Sequence, residues 1–171
     1  MALKTFAAIS IGSAVTEMKI FEFTSRRVMK EVDWISTRLG LGLDAYTMGR
    51  ISSRNVEELC RVLRDFARIM DGYKVNAYRA CATSAFRESR NMLILVDYIE
   101  KQTGLTIEVL SNSEQRFIDY QSIASVTTEF ESIIQNPAAI VDIGGSSMQV
   151  SLFDKDKLIT TQNIRVGSIT T

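Results

Sequence analysis

The sequence predicts an α/β protein: a mixed five-stranded sheet with flanking helices, followed by the first strands of a second, similar domain. Three observations carry this expectation. The elements run as three strands, then helix, strand, helix, strand and helix, and then three strands again. A strand, a glycine turn and a strand open both runs, as ISIGSAV at 9–15 and VDIGGSSM at 141–148, a weak internal repeat at long period. Between the runs lies TTEFESIIQNP with the chain's one proline, Pro137, which places a domain boundary between about 127 and 137. The expected domains are therefore 1–130 and 137–171. The second stops after three strands with no helix to cover them, so the chain reads as part of a longer protein.

Residues 4–11, 15–23 and 26–35 read as three strands joined by short turns. In the second, Val15, Met18, Ile20, Phe21 and Phe23 oppose Thr16, Glu17, Lys19 and Glu22, with one slip in the alternation. Residues 36–52 are punctuated by Gly40, Gly42 and Gly49 and read as irregular. A helix is expected over 53–70, because Val56, Leu59, Cys60, Leu63, Phe66, Ala67 and Met70 share a face and Gly72 stands where a C-terminal cap belongs. Residues 75–81 form a strand, 91–103 a helix closed by Gly104, and 106–110 a short strand. Ser111-Asn112-Ser113-Glu114 fits a capping box opening a helix that runs to about Ser125. Strands return at 138–143, 147–153 and 158–166, the last two joined by a hairpin turn at Asp154-Lys155-Asp156-Lys157.

Lys and Arg number 20, as do Asp and Glu, so the formal charge is zero, which argues against a nucleic-acid partner. No apolar run approaches the roughly 18–20 residues of a membrane span. Cys60 and Cys81 lie within apolar patterns without C-x-x-C spacing and read as reduced core residues of a cytoplasmic protein. The chain has no histidine, which removes a histidine-based triad and leaves little for a zinc site.

The remaining signals point to phosphate. A Gly-Ser turn between strands presents successive backbone N–H groups that can cradle an anion, and Gly12-Ser13 and Gly144-Gly145-Ser146 supply two such turns. Ser13, Ser146 and Ser147 add hydroxyl donors. Taken singly, each turn reads more readily as an ordinary hairpin than as a cradle; two copies, each opening a run of three strands, reverse that preference. Arg87 offers a fixed fork for phosphate oxygens, or a surface salt bridge with Glu88. Asp142 ends an apolar strand beside the second turn, where a carboxylate can hold Mg²⁺ or orient water. Glu114 needs no role beyond capping its helix.

These segments, in this order, resemble the exopolyphosphatase and guanosine pentaphosphate phosphatase family. That family lies within the actin-like, sugar-kinase and Hsp70 ATPase superfamily, with its ribonuclease H-like domains. ISIGSAVTEMKIFEF resembles the family's first phosphate loop, and YRACATSAFRESRN its A-T-S-A-x-R-x-A-x-N segment. EVLSNSEQRFIDYQSI resembles its V-I-S-G-x-E-E-A helix start, and VDIGGSSMQVSLF its second phosphate loop. NIRVGSITT resembles the strand and L-G-A stretch that follow. The resemblance implies removal of terminal phosphate from polyphosphate or a phosphorylated guanosine nucleotide, with Mg²⁺ at Asp142. It also implies that Glu114 is the general base. The departures gather in the chemistry: Ser10 and Gln149 stand where the family's two loops carry acids, Ala14 replaces an asparagine, Asn112 a glycine and Gln115 a glutamate. A catalytically weakened phosphate-chain or nucleotide-binding module is thus the competing expectation, and a kinase or ATPase of the superfamily a third. A homodimer through the second run of strands is expected, because a bare sheet leaves an edge to pair.

Overall fold

The computed structural model describes residues 4–24, 28–126 and 129–168. Its first sheet contains β1 (Lys4–Ile11), β2 (Val15–Phe23), β3 (Met29–Arg38), β4 (Ala77–Ala82) and β5 (Glu108–Val109). The order is β3-β2-β1-β4-β5, antiparallel among the first three strands and parallel from β1 through β4 to β5. This is the mixed five-stranded sheet that the sequence predicts. The expected start of the third strand at 26–27 lies outside the described residues.

Burial follows the pleat. Ala7, Ile9 and Ile11 of β1 and Thr16, Met18 and Ile20 of β2 are buried. The slip in β2 falls where the β2–β3 register shifts: Asp33 faces Ile20, Glu31 faces Phe21, and Val32 bulges between them. Thr16, expected on the polar face, is instead fully buried.

Two helices precede β4, α1 (Leu41–Met48) and α2 (Ser53–Gly72). The first is missing from the sequence reading because its glycines look like loop punctuation. Gly40 and Gly49 are the left-handed residues that bracket it, with φ of 61° and 67°. Ser52 caps α2 by accepting the Asn55 N–H, and α2 buries Val56, Leu59, Cys60, Leu63, Phe66 and Met70 as expected. Gly72 is still helical, and Tyr73 takes the cap position. After β4 come a four-residue helix, α3 (Ser84–Arg87), and α4 (Met92–Thr103), which ends on left-handed Gly104.

The remaining elements are α5 (Asn112–Val126), α6 (Phe130–Ile134), β6 (Ala138–Ile143), β7 (Met148–Asp154) and β8 (Lys157–Ile164), the strands forming an antiparallel sheet in the order β6-β7-β8. By compactness the chain divides into Met1–Val109 and Leu110–Thr171. Helix α5 thus groups with the second sheet, whereas the sequence reading assigns it to the first domain. Its side chains give the reason. The Tyr120 ring meets Phe153 edge-on at 5.3 Å, the Tyr120 hydroxyl bonds Ser151 Oγ at 2.5 Å, and Arg116 donates to Thr161 Oγ1 at 3.1 Å. One face of the second sheet is therefore covered, against the expectation of a bare sheet. The other face exposes Val141, Ile143 and Leu152. Helix α6 occupies the stretch read as linker; its end receives the Lys155 and Asp156 N–H groups of the β7–β8 turn.

Candidate active site

Both glycine turns close in the same way. Gly12 N–H donates to the Val15 carbonyl at 2.9 Å, and Gly144 N–H donates to the Ser147 carbonyl at 2.9 Å. The weak sequence repeat is thus a repeat of backbone geometry. In each case the segment after the third strand of the unit backs the turn. Leu39 and Gly42 donate to the Ala14 and Ser13 carbonyls, and Ser168 donates to the Gly144 carbonyl. Gly167 lies so close to the second turn that a Cβ there would be 2.3 Å from Ser146 N and 2.5 Å from Gly145 C and O. Only glycine fits at that position.

In the first unit the structure joins two segments that are remote in sequence. Ser13 Oγ and Ser84 Oγ are 2.9 Å apart and buried, and Thr83 N–H donates to the Ile11 carbonyl. The turn at Gly12-Ser13 therefore touches the start of α3, whose last residue is Arg87. Burial lowers the pKa of the Arg87 guanidinium, and the neighbouring Glu88 carboxylate opposes that shift. Asn91, which the resemblance also marks, clamps the chain ahead of α2: its amide donates to the Ile51 carbonyl and accepts the Ile51 N–H.

The second unit holds Glu114, Asp142 and the turn Gly144-Gly145-Ser146-Ser147. Glu114 Oε2 accepts the Ser111 N–H at 2.8 Å and Ser111 Oγ accepts the Glu114 N–H at 3.2 Å, so the capping box is formed. That bond uses one carboxylate oxygen and fixes its direction. Ser146, within the turn, is buried. Asp142 pairs across the sheet with Gln149, which is buried as well.

Sequence reasoning missed three contributors. Ser84 lies in a recognised segment, yet its contact with Ser13 is not legible from spacing. Gly167 sits in the stretch resembling L-G-A without a stated role. Asp119 carries no sequence signal, being one acid on a helix. The structure places it in a pocket of about 210 Å³ with Asp142, Gln149 and Ser151. Its Oδ2 is buried and has no hydrogen-bond partner among the described residues. Burial, then the charge of Asp142, pushes its carboxyl up to about 6. Two carboxylates lining one pocket, one with an orphaned shielded oxygen, are hard-oxygen donors of the kind a divalent cation such as Mg²⁺ takes.

A mixed sheet with paired glycine turns of this kind defines an actin-like ATPase-type fold. Residues 23–171 match the Ppx/GppA phosphatase family, and the chain belongs to it. It is similar to the bifunctional 3-dehydroquinate synthase/phosphatase of Fusobacterium nucleatum, with 22% identity over 95% of this chain and 25% of that protein. It is also similar to exopolyphosphatase 1 of Mycobacterium bovis, with 26% identity over 60% of this chain and 29% of that protein. Among solved structures, the Aquifex aeolicus PPX-GPPA enzyme superimposes with a TM-score of 0.78 at 22% identity, over 97% of this chain and 54% of that one. The chain thus spans about a quarter of the length of these curated relatives and about half of the solved enzyme. Among the described residues no helix is long and apolar enough to cross a membrane.

Proposed function

We propose that the protein releases terminal phosphate from inorganic polyphosphate or a guanosine pentaphosphate-like nucleotide by metal-assisted attack of water. The observation that carries this reading is the pair of turns closed by the same glycine N–H bond at Gly12 and Gly144. Such turns present N–H groups to an anion without side-chain obstruction.

In this reading Gly12-Ser13 and Gly144-Gly145-Ser146-Ser147 hold phosphate groups, and Arg87 grips phosphate oxygens. Glu114, oriented by its capping bond, takes the proton of the attacking water. Asp142 would hold Mg²⁺, which when bound would neutralise phosphate charge. Phosphoryl transfer depends mainly on positioning and charge neutralisation, so the turns and the cation carry most of the work.

A second reading, a phosphate-chain or nucleotide binder with weakened catalysis, is favoured by Gln149, an amide where the family carries an acid. Single-turnover phosphate release from long-chain polyphosphate and from guanosine pentaphosphate, measured with and without Mg²⁺ beside binding of the same ligands, separates the two. Mg²⁺-dependent release supports the hydrolase. Tight binding without release supports the binder, and neither result would remove both.

A further inference from the structure

We infer that Asp119 is the second carboxylate of the divalent-cation site in this protein, supplied from helix α5 in place of the acid that strand β7 lacks at Gln149. This rests on the proposed cation at Asp142 and names the residue that completes its donor set.

The placement follows from periodicity. Asp119, Ser122 and Ile123 lie at i, i+3 and i+4 on α5 and turn one face toward β6 and β7, where Ile140, Asp142, Gln149 and Ser151 complete the pocket. Glu114 lies five residues earlier, about 140° around the helix at 100° per residue, so Asp119 does not duplicate it. Gln149 contributes at most a neutral carbonyl oxygen opposite Asp142. Ser151 Oγ is already engaged, by the Tyr120 hydroxyl at 2.5 Å and Thr161 Oγ1 at 3.4 Å, so it buttresses the wall and does not ligate.

What remains is a pair of acids lining one pocket, with Asp119 Oδ2 shielded from solvent and without a hydrogen-bond partner among the described residues. A shielded carboxylate oxygen facing a like charge is costly unless a proton or a cation lies between. A divalent cation answers that cost, because Mg²⁺ commonly takes one or two protein carboxylates with the rest of its shell from water and phosphate.

The test uses Mn²⁺ alone as the probe, with the intact protein at pH 7.5 and no phosphate ligand, read by electron paramagnetic resonance and calorimetry. The native protein should bind one Mn²⁺ that Mg²⁺ displaces. Asp119→Asn, a near-isosteric change, should weaken binding at least about tenfold by removing a ligand charge. Adding Gln149→Glu to Asp119→Asn should restore it by supplying the acid from β7. In the native protein, Mn²⁺ should broaden the carboxylate carbon resonances of Asp119 and Asp142 before those of other acids, a readout that needs no variant. Absence of Mn²⁺ binding, equal affinity for native and Asp119→Asn, or sparing of the Asp119 resonance would each overturn the inference. Metal binding of the predicted kind without phosphate release would instead count against the hydrolase and leave Asp119 as a ligand.

Discussion

Replacing Gly167 by alanine should damage the second glycine turn out of proportion to one methyl group. The added Cβ would lie 2.3 Å from Ser146 N and 2.5 Å from Gly145 C and O. Ordinary contact begins at about 3.4 Å, so the turn and the segment after β8 must separate by about 1 Å, and the clashing atoms are backbone with no flexible end to yield. Overpacking of this kind costs about 1–3 kcal/mol. A misplacement of about 1 Å at a reacting group can also cost about 100-fold in rate. Urea unfolding and polyphosphate binding, measured side by side, provide the assay. Gly72→Ala is the control: its Cβ meets nothing within 4 Å, and it lies at the end of α2, so alanine should stabilise by about 0.5–1 kcal/mol. If Gly167→Ala matches that control in stability and in binding, the close approach does not hold the turn in place.

Other expectations follow from buried or strained groups. Asp119 holds its proton up to about 6 in the folded chain against 3.8 in the unfolded one, so between these pH values the folded state binds more protons and stability falls as pH rises. In chelator, Asp119→Asn should remove that decline and stabilise by about 1–2 kcal/mol at pH 8, a figure reduced from about 3 for partial exposure, with little change at pH 3.5; parallel pH profiles would refute it. Thr16 Oγ1 is buried without a hydrogen-bond partner among the described residues, so Thr16→Val should raise stability by about 1 kcal/mol in urea unfolding. Lys155 and Asp156 have φ of 51° and 61°, so replacing them with Asn-Gly should relieve about 1 kcal/mol of strain and raise the thermal midpoint; an unchanged midpoint would refute this.

Much of this architecture is written in local pattern. The period-2 runs of β1 and β2, the apolar face of α2, the Ser111–Glu114 box and the Asp154–Lys157 turn each state their structure within one short segment. Helix α1 was hidden because Gly40 and Gly49 act as its left-handed ends, and glycine spacing alone does not distinguish a cap from a loop. Placement of α5 with the second sheet depends on Tyr120 meeting Phe153 and Ser151, contacts across long sequence distance that periodicity does not encode. The site divides in the same way. The two turns were legible as motifs, whereas Asp119 becomes chemically significant only when α5 lies against Asp142, and Gly167 only when its backbone lies on Gly145 and Ser146.

Backbone amide chemical shifts of the isotopically labelled protein, followed during titration with a defined short polyphosphate, test the central claim most directly. The account predicts saturable shifts at Gly12 and Ser13 and at Gly144, Gly145, Ser146 and Ser147. Shifts confined to the exposed arginines of α2, with both turns silent at saturation, would contradict it.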